Sequence, residues 1–357
     1  MSSTETIARP RQPDIQYHPD WAKYQARSRQ RKKIETLQTS LPAGFPQHLV
    51  SPLVWDGKDI EKRDDWIYQL SDAQLDEIDA ALMSFKGVSS HIGSIRGRQQ
   101  DTRLQDGTSP MISHIKDITG ITEEGKIGAP SNTADKQMRG DIISLLCLSP
   151  AADAGESYLS SSWNVYHILA KERPDLIHTS RKTGRLMGRS PKAKLILILI
   201  GYRFNNPQKP YTLRPPSIPP TSYRKHARAS FDSVCAEILH RISRSTQIAD
   251  IPPITEAQAE ALDALHFLAE EHSAALDFQK GDVQYVNNLS IFHARNGFKD
   301  APGKRRHLLR LWLRDPENAW KTPEPLQHRW DILFKNVTED EQAFPLNPGS
   351  LRKTVGS

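Results

Sequence analysis

The sequence predicts a mostly β fold with flanking helices, and three observations predict it. Two short apolar runs, 111–118 and 141–148, have the length of core strands. A capped helix near Thr255 is followed by a turn and by strand-patterned text through residue 313. A hydrophobic content of 37% over 357 residues allows a real core, in one large domain or two small ones.

In chain order, residues 1–40 read as an extended polar arm rich in Arg and Gln, closed by the turn residues of Leu41 to Pro46. Between Trp66 and Phe85 the positions Leu70, Leu75, Ile78, Ala81, Leu82 and Phe85 fall at helical spacing, with Ser71 as N-cap. The runs MISHIKDI and DIISLLCL follow as strands, separated by a polar loop. Ser161 to Ala170 opens a helix that stops near Arg173-Pro174, because the residue before a proline is disfavoured in helical geometry. From 180 to 250 the periodicity dissolves into Arg, Lys, Ser and Pro. It returns at Thr255 and Gln258, a capping box for a helix through Leu262, Leu265, Leu268 and Ala269. Gly281-Asp282 then turns into VQYV, and the C-terminal third reads as a helix followed by a hairpin-rich unit.

Charge is unevenly placed. The net charge is +6, yet residues 180–247 hold 14 of the 48 Lys+Arg and only Asp232 and Glu237 of the 42 acids, leaving 34 − 40 = −6 elsewhere. Arg27 to Lys33 form a second basic run, read as a solvated polar helix face. Neither segment interleaves aromatic residues with the cations as single-strand binders do, so no nucleic-acid partner is expected. No apolar run approaches the ~18 residues of a membrane span, and no membrane partner is expected either. Two cysteines, Cys147 and Cys235, support neither a disulfide framework nor a zinc site, which makes the reducing cytoplasm the expected compartment.

Candidate chemistry gathers in 281–315. His293 sits just after a predicted strand, and RRHLLRLWL alternates so that Arg306, Leu308, Arg310 and Trp312 share one face. On these residues alone a solvated edge strand with both arginines facing water remains open.

The runs GDVQYVNNLSIFHAR and RRHLLRLWLRDPENAW resemble the C-terminal signature of the fungal branch of the TauD/TfdA-like (taurine dioxygenase-like, clavaminate synthase-like) Fe(II)/2-oxoglutarate-dependent oxygenases. SSHIGSIRGRQ, GDIISLLCL, GESYLSSSWNVY, RPDLI, NPQKPY and PPITEAQAEALDALHFLAEEH are similar to family text in family order. The resemblance implies a double-stranded β-helix (jelly roll) and a two-His-one-carboxylate site for Fe(II), with 2-oxoglutarate as cosubstrate and hydroxylation of a small molecule, as in secondary metabolism. It assigns His293 as a metal ligand, Arg306 and Ser157 to the far carboxylate of 2-oxoglutarate, and Arg310 to the substrate side.

Three departures accompany it. The family's His-x-Asp pair precedes the Gly-Asp that opens a strand, but here Asp135 to Arg139 precede Gly140-Asp141 and the pair is absent. His114 lies in a predicted strand of its own, and His178-Thr179-Ser180, a polar helix end, offers no carboxylate. After Phe85-Lys86 a family stretch is missing and a core strand with it, which makes the implied jelly roll incomplete. Within 180–250, codons that can encode the text from Thr179, Pro216 and Cys235 yield family sequence when read one or two bases later. The expected layout is therefore a polar arm over 1–50, an oxygenase-like domain over 51–315 with an anomalous 180–250, and an extension over 316–357. The alternative is a catalytically inactive descendant, or the product of a gene whose exons and reading frame are wrongly assigned.

Overall fold

The computed structural model describes residues 13–15, 19–86, 109–110, 112–116, 142–186, 254–288, 290–313 and 342–343. Helices α1 (Trp21–Ile34), α2 (Gly57–Ile60) and α3 (Asp72–Lys86) come first, then strands β1 (Ser109–Pro110), β2 (Ser113–Lys116), β3 (Ile142–Ser149), β4 (Asp153–Ala154) and β5 (Ser157–Ser161). Helices α4 (Ser162–Glu172), α5 (Pro174–Leu186) and α6 (Glu256–Glu271) follow. The chain continues through β6 (Ser273–Leu276), β7 (Val283–Asn287), β8 (Ile291–Arg295), β9 (Phe298–Lys299), β10 (His307–Leu313) and β11 (Gln342–Ala343). Most of 180–250, the two departures before Gly140-Asp141 and after Lys86, and nearly all of 316–357 lie outside the described residues.

Two antiparallel sheets carry the architecture. One has the order β2-β10-β3-β7 and the other β6-β5-β8, while β4 pairs with β9 and β1 with β11. The sheets face each other through Ile143, Val286 and Trp312 on one side and Leu159 and Ile291 on the other. Consecutive strands β7 and β8 belong to different sheets, each paired with a strand from the first half of the chain. The C-terminal unit is therefore not rich in hairpins. Its strands are apolar enough to be buried on a face, and their partners lie far away in sequence, where local turn signals carry no information.

The outer face of the three-stranded sheet is covered by helices. Phe292 and Ala294 of β8 join Trp163, Tyr166 and Leu169 of α4, Leu176 of α5 and Leu265 of α6 in one core cluster. Ser161 caps α4 by accepting from the Asn164 N–H at 3.0 Å, and both bonds of the Thr255–Gln258 capping box are present on α6. Helix α4 ends at Glu172 as expected, but Pro174 opens α5, its fixed φ suiting a first helical position. His178 thus lies inside α5, which runs to Leu186, past the point where sequence periodicity fades; its Nε2 lies 2.9 Å from the Ser40 carbonyl oxygen. The predicted helix after Ser71 is α3, with Ser71 and Gln74 bonded reciprocally.

Residues 21–34 depart from the extended arm. They form α1, capped by Asp20, and Arg27 and Arg31 are buried. Arg27 pairs with Asp263 and Glu256, and Arg31 with Glu260, Asp175 and Glu35. The basic run is helical as read, but only Arg29, Lys32 and Lys33 of its cations are exposed. A helix that docks through guanidiniums has no apolar stripe, so hydrophobic periodicity is blind to it. Helix α2 covers the edge of β6: Gly57 N–H donates to the His272 carbonyl at 3.1 Å, Glu61 accepts from the Ala275 N–H at 3.1 Å, and Asp56 lies 2.5 Å from His272 Nδ1.

Candidate ligand site between the two sheets

Strand β10 is flanked by β2 and β3, so it is not an edge strand, and its alternation holds: Leu308, Arg310 and Trp312 are buried. Register places Leu308 opposite Cys147, Arg310 opposite Leu145 and Trp312 opposite Ile143. Side chains opposite each other across an antiparallel pair share a face, so these residues turn together toward the other sheet. Arg306, just before the strand, is 6% exposed and Arg310 8%. Both arginines therefore sit in the interior rather than in water.

Among the described residues, few groups hold Arg306. Its backbone N–H donates to Asp300 Oδ1 at 2.9 Å, and its guanidinium carbon lies 5.4 Å from the centroid of the Phe298 ring. Among the described residues no carboxylate comes within ion-pairing distance of the guanidinium. Burial pulls its pKa down to about 10, against the opposing pull of Cys147 and Asp300, so it stays charged at neutral pH. Burial likewise pushes the Cys147 thiol up to about 11 and keeps it neutral. A buried cation that no described carboxylate pairs directly is costly, and an anion supplied from outside would relieve that cost.

The three-stranded sheet supplies the opposite wall. His293 lies within β8 rather than after a strand; it pairs with Leu159, Arg295 with Ser157 and Ile291 with Ser161. Because Leu159 and Ile291 enter the inter-sheet cluster, His293, Arg295 and Ser157 share that inward face. The Ile291 end meets Trp312, while the Arg295 end meets Arg306, since Arg295 and Arg306 both lie on the Phe298 ring, Arg295 at 4.7 Å. Gly155 makes room there at φ +91°: a Cβ would come within 3.0 Å of Phe298 Cβ and 3.7 Å of Arg306 Cδ. All four sequence-derived residues, Ser157, His293, Arg306 and Arg310, thus border one inter-sheet space. Arg295, Phe298 and Gly155 are additions to them. Arg295 was legible as the residue two past His293 on the same face, whereas Phe298 and Gly155 gave no periodic signal.

Comparison with known proteins bears on the same stretch. A family model described as taurine catabolism dioxygenase TauD, TfdA family, matches residues 47–312. The chain belongs to the TauD/TfdA family. A taurine hydroxylase-like protein, SAT17 of Stachybotrys chartarum, is 32% identical over 76% of this chain and 66% of its own length. The FR-33289 synthase of Streptomyces rubellomurinus is 27% identical over 54% of this chain and 52% of its own. The chain thus matches between about half and two thirds of the length of these relatives. Among solved structures, an asparagine oxygenase with Fe(II), 3-hydroxyasparagine and succinate aligns at TM-score 0.31 and 16% identity, covering 57% of this chain and 56% of that one. The non-heme iron oxygenase OrfP, with Fe and alpha-ketoglutaric acid, aligns at 0.30 and 15%, covering 70% and 68%. At such TM-scores the family assignment rests on the sequence match.

The TauD/TfdA family implies an iron centre, and the described residues do not assemble one. No group of three His, Cys, Asp or Glu side chains able to hold a metal occurs among them. His293 lies on the inward face of β8, and Asp135 to Arg139, directly before Gly140-Asp141, contain no His-x-Asp pair. Among the described residues, no helix is long and apolar enough to cross a membrane.

Proposed function

We propose that this family member is an Fe(II)/2-oxoglutarate-dependent dioxygenase-like protein acting on a small molecule in secondary metabolism. Its double-stranded β-helix would be built around the two facing sheets, and Arg306 would anchor the far carboxylate of 2-oxoglutarate. One observation supports this most: a guanidinium that is buried, charged and without a carboxylate partner among the described residues, on the wall opposite His293. A bidentate carboxylate satisfies both the charge and the planar donor fork of such a group. Ser157, on the facing sheet beside Arg295, would support that carboxylate, and Arg310 would face the substrate.

A second reading, a catalytically inactive acid-binding descendant, is favoured by the missing His-x-Asp pair. Anaerobic loading with Fe(II), followed by metal analysis and a succinate assay, separates the two. One iron per chain with 2-oxoglutarate consumed supports the dioxygenase, because a facial triad needs three ligands. Binding of 2-oxoglutarate with neither stoichiometric iron nor succinate supports the inactive descendant. Failure to bind 2-oxoglutarate at all would sink both.

A further inference from the structure

A buried donor without an acceptor calls for an explanation, because nearly all such groups in folded proteins are satisfied by protein or water. Gln284 carries one: the residue is 8% exposed and its Nε2 has no hydrogen-bond partner among the described residues. Ser290 Oγ and Asn296 Oδ1 are also unpartnered there, but they lie in the segments just before and after β8. Gln284 lies within β7, on the same side as Val286, which enters the cluster between the sheets, and opposite the exposed Tyr285.

Register fixes its place. Gln284 pairs with Leu145, and Leu145 with Arg310, so the three form one row across the four-stranded sheet. The next row in one direction is Val286, Ile143 and Trp312, facing Ile291, and in the other direction lie Leu308 and then Arg306, facing Arg295 by way of Phe298. The middle row of the opposite sheet contains His293 and Leu159. Gln284 therefore belongs to the layer that faces His293. Four residues of strand and two inter-strand steps put its Cα roughly 16 Å from that of Arg306. Gln and Arg side chains are long enough for a short acid bound between them to bridge that gap.

We infer that Gln284 is a binding residue: its amide N–H donates to an oxygen at one end of a small dicarboxylate whose other end is held by Arg306. This rests on the reading of Arg306 as an acid anchor. It assigns a second contact point, and with it a requirement for a second acceptor-bearing end. The donor is withdrawn from water and no described residue completes it, and a molecule entering between the sheets would.

Equilibrium titration of the purified chain with 2-oxoglutarate and with butyrate tests this, using Gln284→Leu, Gln284→Glu and Arg306→Leu, each checked for an unchanged unfolding temperature. Gln284→Leu should weaken 2-oxoglutarate roughly five- to tenfold, the value of one hydrogen bond, and leave butyrate unchanged. Gln284→Glu should weaken it further, since an ionised carboxylate accepts but does not donate. If both Gln284 variants bind 2-oxoglutarate like the unaltered chain while Arg306→Leu does not, the role of Gln284 is refuted and the anchor stands. If Arg306→Leu also binds normally, or the unaltered chain binds neither acid, the anchor and the inference fall together. Should Gln284→Leu lose stability, the comparison passes to Gln284→Glu, and equal loss of both acids there would overturn the role.

Discussion

Replacing Glu260 with Gln should destabilise the fold more than any other single charge removal on the helical layer. Glu260 is fully buried and bonds Arg31 through one carboxylate oxygen and Arg173 through the other. Around it, six side chains at 12% exposure or less balance: Arg27, Arg31 and Arg173 against Asp175, Glu260 and Asp263. Burial alone would raise the Glu260 carboxyl, but Arg173, Ser28 and Arg31 outweigh it and hold its pKa below the usual value. Glu260→Gln leaves one uncompensated positive charge in that space, a change worth about 3–5 kcal/mol. With a urea m-value of about 2 kcal/mol/M, the unfolding midpoint should fall by about 2 M at unchanged m. Glu35→Gln, which removes a partner of Arg31 that is 40% exposed, should cost no more than about 1 kcal/mol. A Glu260→Gln midpoint within about 0.5 M of the parent would refute the view that this cluster docks α1.

Three further outcomes follow from the same geometry. Gly57→Ala should unseat α2 from the edge of β6, because its Cβ would fall 2.0 Å from the Ser273 carbonyl carbon; a loss of about 1–3 kcal/mol or more is expected, and a neutral result in thermal unfolding would show that the edge relaxes freely. Gly155→Ala should lower both stability and 2-oxoglutarate affinity, since φ +91° strains any side chain and the added Cβ crowds Phe298 beneath Arg306; unchanged affinity by calorimetry would uncouple that turn from the anchor. Burial pushes the Asp263 carboxyl up to about 6 from 3.8, against the pull of Arg27. A folded-state pKa above the unfolded one stabilises below about pH 4 and is lost as pH rises through about 6. Asp263→Asn should therefore flatten the decline in unfolding temperature across that window, and an unaltered slope would contradict it.

The elements legible in the sequence are those whose signals are local. The capping box at Thr255, the Ser71 cap, the proline at 174 and the alternation of β10 are each decided within a few residues of chain. What escaped is non-local. Whether Arg306 and Arg310 faced water or the interior depended on β2 and β3 flanking β10, pairings more than 150 residues apart. Arg27 and Arg31 looked solvated because their partners, Asp175, Glu260 and Asp263, arrive from helices more than 140 residues away. The site residues Ser157, His293, Arg306 and Arg310 came through resemblance, whereas Phe298 emerged only from its contacts with Arg295 and Arg306, and Gln284 only when register put it on the inward face.

The most direct measurement is the dissociation constant of 2-oxoglutarate for the full chain and for Arg306→Leu, taken by calorimetry at one salt concentration. Losing the guanidinium that anchors a buried carboxylate should weaken binding at least ~30-fold, the equivalent of about 2 kcal/mol. Saturable binding by the parent that is lost in Arg306→Leu, with both proteins unfolding at the same temperature, is the expected result. Equal affinity in the two proteins would contradict the central claim that Arg306 holds an organic acid between the sheets.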